Sequence, residues 1–150
     1  MTLHEVQAAS YRRAGGALTG SWPEAQAMDA EALEAFVSAR RYCVLATAQA
    51  DGRPQARPVA FTVLGNAIWF ATVAGGRLRN VERRPWVSVV ITEGEGDEHC
   101  AVAADGPVEL LEPPGELLER WERRFGSRPE WAAAWFRLRP ARLFSYDARR

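Results

Sequence analysis

At 150 residues the chain is most simply one domain, residues 1–150, long enough to bury roughly 70% of the surface its unfolded form exposes. Hydrophobic residues make up 47% of it and charged residues 25%, the usage of an ordinary globular protein. Nineteen basic and nineteen acidic side chains cancel, so net charge gives no support to a nucleic-acid partner.

The first 27 residues or so read as a helical arm. "LHEVQAASYRRAGG" (Leu3 to Gly16) predicts a short helix closed by glycines, and "ALTGSWP" predicts a loop. The N-terminus lacks the apolar stretch of a secretory signal, and no apolar run approaches the roughly 20 residues of a membrane span. The expectation is a cytoplasmic protein with no membrane partner. "MDAEALEAFVSARR" (Met28 to Arg41) predicts a better helix. Asp29 can cap it, Glu31 lies in its first turn, Arg40 and Arg41 lie in its last, and Leu33, Phe36 and Val37 form one apolar face.

The period then changes. "YCVLATAQ" reads as a strand, "ADGR" carries the Asp51-Gly52 hairpin signal, "PQARPVAFTVL" is a second strand, and "GN" turns it into "AIWFAT", the third. "VAGG" is a glycine loop, "RLRNVERR" (Arg77 to Arg84) a short helix ended by Pro85, and "WVSVVITEG" a fourth strand. The acidic residues around "EGDEH" read as a solvated loop rather than a metal site. "CAVAADGPVELL" is a long strand kinked at Asp105-Gly106, and "PPGELLERWERRFG" (Pro113 to Gly126) a helix with Pro at its start and Gly at its end. "PEWAAAWFRL" reads as a further helix and "RPARLFSYD" as a last strand. Cys43 and Cys100 sit far apart among apolar neighbours and read as buried free thiols. His4 and His99 are too few for a histidine metal site or a histidine-dependent triad, so no metal is expected. About six strands joined largely by hairpins predict a mainly β fold with flanking helices, an antiparallel barrel or sandwich rather than a parallel sheet.

Two stretches carry chemistry. In "DGRPQARPVAFTV" the prolines Pro54 and Pro58 lie four apart in an otherwise regular strand, so both remove donors from one edge, the edge shared by Ala56 and Ala60. That edge suits a protected sheet margin, or a flat ligand that uses the Ala60 N–H and neighbouring carbonyls. In "FATVAGGRLRNVERRP" a strand ends at Thr72, a loop with two glycines follows, and a helix opens at about Arg77. Helix N-terminal N–H groups, the Arg77 fork and the Thr72 hydroxyl are suited to an anion such as phosphate. The same arginines also suit a solvated helix face. Trp69 and Trp86 flank this loop and helix, as packing residues or in contact with a bound ring.

Together, "GRPQARPVAF", the hairpin to "IWFAT", the glycine loop, "RLRNVERRP" and "WVSVVI" resemble the pyridoxamine 5'-phosphate oxidase-like family of FMN-binding split β-barrels, over roughly Leu33 to Leu111. The resemblance implies a split-barrel homodimer with a shared cofactor site. It implies that Arg57, Thr72 and Arg77, with Gly76 before it, hold the cofactor phosphate, and that the ring lies along Pro58, Val59 and Ala60. It implies FMN as cofactor, with the deazaflavin coenzyme F-420 as the alternative, because "GRPQ" and "RLRNVERRP" are similar to actinobacterial deazaflavin-binding relatives. The expected function is a flavin-dependent oxidoreductase moving hydride to or from a small molecule. A flavin- or haem-binding protein without turnover and a cofactor-free dimeric module are the alternatives.

Departures from the family pattern limit the activity. Arg77 stands where lysine is usual, and Thr62 stands where the oxidase carries a substrate-binding lysine. The oxidase's C-terminal arginine–histidine motif has no match in "RPARLFSYDARR". Oxidation of pyridoxamine 5'-phosphate is therefore not expected, and no catalytic acid or base stands out.

Overall fold

Local capping sets the amino-terminal helices in the computed structural model, which describes residues 1–150. Thr2 and Glu5 form a reciprocal capping box, Glu5 N donating to Thr2 Oγ1 and Thr2 N to the Glu5 carboxylate, and this starts α1 (Leu3–Arg13). The predicted loop after it holds a short helix, α2 (Gly16–Ser21), which has no side-chain cap and no buried residue. Its two glycines gave no helical signal. Asp29 accepts from Ala32 N at 2.9 Å and opens α3 (Ala30–Ala39), which buries the expected Leu33, Phe36 and Val37.

Eight strands follow, where about six are predicted. They are β1 (Tyr42–Ala48), β2 (Pro54–Ala60), β3 (Thr62–Leu64), β4 (Ala67–Thr72), β5 (Trp86–Glu93), β6 (Cys100–Leu110), β7 (Ala134–Leu138) and β8 (Arg142–Asp147). Helix α4 (Gly76–Arg83) joins β4 to β5, and α5 (Gly115–Phe125) joins β6 to β7. The predicted second strand breaks at Phe61. Its ring is fully buried and its N–H donates to Arg41 O, so residues 62–64 leave β1 and pair with β4. The segment "PEWAAAWFRL" is not a helix. Ala132 N closes a turn on Pro129 O, and the next residues pair with β4 and β6 as β7. Phe136 and Leu138 are buried at a strand's period of two, so tertiary pairing overrides the local preference of the alanines.

All pairings are antiparallel, in the order β2-β1-β5-β6-β7-β4-β3, with β8 also on β6. β6 carries the sheet around the barrel: up to Pro107 it pairs with β5, and from Val108 with β7. Gly106 permits this switch. A Cβ there would lie 2.7 Å from both Arg139 O and Ala141 N, and Ala141 N donates to Asp105 O at 2.9 Å. The curled sheet encloses the main core, which includes Leu45, Phe61, Phe70, Val89 and Phe136. α5 covers the outside of β3 and β4 with Leu117 and Trp121, and Trp121 meets Trp135 edge-to-face at 5.1 Å. α1 lies on β8, where Ser10 Oγ accepts from Leu143 N at 3.0 Å and Tyr11 packs edge-on against Phe144. Both cysteines are free and buried, and no helix is long and apolar enough to cross a membrane.

Candidate functional site

β2 has β1 as its only partner, so its other edge is open. The Phe61 N to Arg41 O bond, 3.0 Å, fixes the parity of that edge. Odd-numbered residues of β2 turn their backbone to β1, and Pro54, Ala56, Pro58 and Ala60 turn theirs outward. The prolines therefore stand where no ladder bond is lost. The edge keeps the N–H groups of Ala56 and Ala60 and four carbonyls. Arg57 Nη1 occupies one of these, donating to Ala56 O at 2.8 Å.

The side chains of β2 alternate with the same period. Val59 points into the core, while Gln55 and Arg57, further from Phe61, reach the mouth of the barrel. There they line a groove of ≈ 440 Å³ with Pro58, Thr72, Val73, Gly75, Gly76 and Arg77. Thr72 ends β4 and is almost wholly buried, its hydroxyl donating to Val73 O at 3.1 Å. α4 starts with no side-chain cap. Its first internal bond is Arg79 N to Gly75 O, which leaves the N–H groups of Gly76, Arg77 and Leu78 without a helical acceptor. Val81 anchors this helix in the core, and buried Asn80 ties it to two strands, Nδ2 donating to Thr47 Oγ1 at 3.0 Å and to Gln55 Oε1 at 3.2 Å.

The electrostatics of the groove are unbalanced. No carboxylate pairs with Arg57 or Arg77. Burial first, and then the charge of Arg57, push the Arg77 pKa down. Two unneutralised guanidiniums beside a free helix N-terminus have the charge and donors that suit an anion. Cys43 lies close by, but burial pushes its thiol up to about 12 despite the pull of Arg77, so it carries no thiolate at neutral pH.

The groove thus brings together Arg57, Pro58, Thr72, Gly76 and Arg77. Val59 is buried behind it, and Ala60 continues the open edge. Thr62 lies elsewhere. It is fully buried opposite Trp69, on the sheet face that α5 covers, and its Oγ1 has no hydrogen-bond partner. Trp69 packs against Leu117 of α5, Trp86 is exposed at the start of β5, and neither lines the groove. His99 is held at the opposite end of β5, its Nδ1 3.3 Å from Gly94 O. Sequence reasoning passed over Gln55 and Asn80. Gln55 shares Arg57's face at the strand period of two, and Asn80 lies one helical turn after Arg77, so both periods pointed to them.

An antiparallel split barrel with an open strand edge and a dibasic groove at its mouth is the class of fold that these elements define. The chain belongs to the pyridoxamine 5'-phosphate oxidase family, whose model matches residues 29–149. Its fold is similar to that of a conserved hypothetical protein from Mycobacterium tuberculosis, with TM-score 0.75 and 25% identity over 85% of this chain and 90% of that one. It is similar to HutZ, the heme storage protein from Vibrio cholerae, with TM-score 0.65 and 23% identity over 78% and 94%. It is also similar to an F420 reductase, with TM-score 0.61 and 22% identity over 73% and 94%. No curated protein matches the sequence.

Proposed function

We propose that this chain is a flavin-binding oxidoreductase that moves hydride to or from a small organic molecule and works as a homodimer with the cofactor at the interface. The groove carries the reading. Arg57, Arg77 and the free N–H groups of α4 suit a phosphate. The open edge of β2 beside it suits a flat ring, with two prolines keeping another strand away and Ala60 offering a donor. A bound flavin-type ring supplies the hydride chemistry, and the chain supplies placement. Arg57 and Arg77 fix the phosphate end, Asn80 and Val81 hold α4 in register with the strand, and Pro58 sets the wall. Apart from the two arginines no titratable side chain lines the groove, so the chain offers no acid or base there.

FMN is the first reading, because a compact anion pocket is all it requires. Coenzyme F-420 is the alternative. Its longer acidic tail would run past the phosphate, where Arg79, Arg83 and Arg84 are exposed without a salt-bridge partner, and an F420 reductase shares the fold. Haem finds less support, since no His, Cys, Met or Tyr lines the groove to ligate iron. Oxidation of pyridoxamine 5'-phosphate has none from Thr62, which is buried away from the groove.

The dimer is supported by an apolar outer face. Tyr42, Val44, Trp86 and Val90 are exposed on β1 and β5, and Val44 lies opposite both Pro58 and Val90, forming one row across three strands. The test is parallel titration with FMN and F-420, followed by turnover with NAD(P)H or reduced deazaflavin as donor. Saturable binding of one cofactor and its reduction support the reading. Binding without any reduction would favour a carrier, and binding of neither would leave a cofactor-free module.

A further inference from the structure

We propose that Gln55 is a specificity-determining residue of the groove, its amide held by Asn80 so that its Nε2 donor meets the ligand's anionic group. The proposal rests on the reading above that the groove takes a phosphate. Asn80 is buried, and both N–H bonds of its amide are used, one on Thr47 of β1 and one on Gln55 of β2. A single side chain of α4 thereby ties the helix to β2, which lines the groove, and to β1 behind it. The contact consumes Gln55 Oε1 and leaves the Nε2 end for the groove, which Gln55 lines. Gln55 stands two residues before Arg57 on the same strand face, about 7 Å along the strand. The donor set is then two guanidiniums, the helix N–H groups and one neutral amide.

The neutrality of that amide is its function. A third cation would add repulsion to a pair that already depresses the Arg77 pKa. A carboxylate would cancel one of the two charges from within and repel the ligand. An amide adds a fixed hydrogen bond and leaves the net charge for the anion. Gln55→Glu is a sharp probe for this reason. The carboxylate is isosteric and still accepts from Asn80, so the fold keeps its tie, but the groove loses half of its positive charge.

The experiment titrates FMN and coenzyme F-420, each against its phosphate-free ring alcohol, into wild type, Gln55→Glu and Gln55→Met, with thermal unfolding of each ligand-free protein. The expected result is that Gln55→Glu weakens the phosphate-bearing cofactor by roughly tenfold or more and Gln55→Met by about threefold. The phosphate-free alcohols bind all three proteins equally, and the ligand-free melting temperature of Gln55→Glu stays within about 2 °C of wild type, as the kept Asn80 bond implies. A wild type that prefers the phosphate-bearing form while Gln55→Glu binds it unchanged would overturn the role of Gln55 alone. A wild type with no such preference would overturn the phosphate reading, and this proposal with it. If Gln55→Glu melts early and loses both forms, Gln55→Met decides: unchanged affinity for the phosphate-bearing form refutes the proposal, and selective loss supports it.

Discussion

Replacing Arg77 by glutamine should act with opposite signs on binding and on stability. Arg77 is half-buried, stands beside Arg57 and has no carboxylate partner, so in the ligand-free chain its charge is held against desolvation and repulsion. Removing the charge relieves both, so the melting temperature of Arg77→Gln without ligand should stay level or rise by a few degrees; for a chain of this size about 1 kcal/mol shifts it by roughly 2–4 °C. Cofactor binding should move the other way. A hydrogen bond to a charged group contributes about 1.5–3 kcal/mol, so losing it should weaken a phosphate-bearing cofactor by roughly 10- to 150-fold. The assay pairs ligand-free thermal unfolding with a fluorescence titration of FMN and of riboflavin, which lacks the phosphate and should bind the variant as it binds wild type. A variant that melts several degrees early while binding FMN normally would refute the reasoning, because Arg77 would then be holding the fold and not an anion.

Other perturbations follow from the same geometry. Gly106→Ala forces a Cβ to within 2.7 Å of two backbone atoms, so it should cost about 3 kcal/mol or more and lower the melting temperature by roughly 6–12 °C in a thermal scan. Val44→Arg places a charge in the centre of the exposed apolar row and should shift sedimentation from dimer to monomer, with little change in the far-UV spectrum. Asp147 accepts hydrogen bonds from Arg149 N and Nε, which hold its carboxyl down at about 2, below the ordinary 3.8. A depressed carboxylate stabilises the fold fully above its unfolded value and loses that stabilisation as pH falls through the folded one. Wild type should therefore lose about 1–2 kcal/mol between pH 4 and pH 2, and Asp147→Asn should lack that component when unfolding is measured across the window.

Where side-chain period and chain chemistry agreed, the fold was readable in advance. Asp29 capped its helix as expected, Gly126 closed α5 in the left-handed conformation at φ 85, and "YCVLATAQ" formed strand β1. Sequence reasoning failed where distant partners decided. Nothing local in "AFTVL" says that Phe61 will plug the core and hand residues 62–64 to β4. The alanines of "WAAAWFRL" favour a helix, yet the open sides of β4 and β6 take the segment as a strand. The groove shows the same division. Pro54 and Pro58 disclosed the open edge and the glycine loop disclosed the helix N-terminus, because both are backbone statements. The tie from Asn80 to Thr47 and Gln55 joins residues 25 and 33 positions apart, and only the folded chain brings them into contact.

The central claim is that the groove holds a phosphate-bearing flavin-type cofactor, and the purified protein tests it most directly. Its absorbance spectrum, followed by the mass of whatever acid precipitation releases and, for a colourless preparation, titration with FMN and coenzyme F-420, gives the answer. A flavin or deazaflavin chromophore bound at about one per chain, with a released mass that includes the phosphate, is the result expected from Arg57 and Arg77. A haem spectrum, or a colourless protein that takes up neither added cofactor, would contradict it.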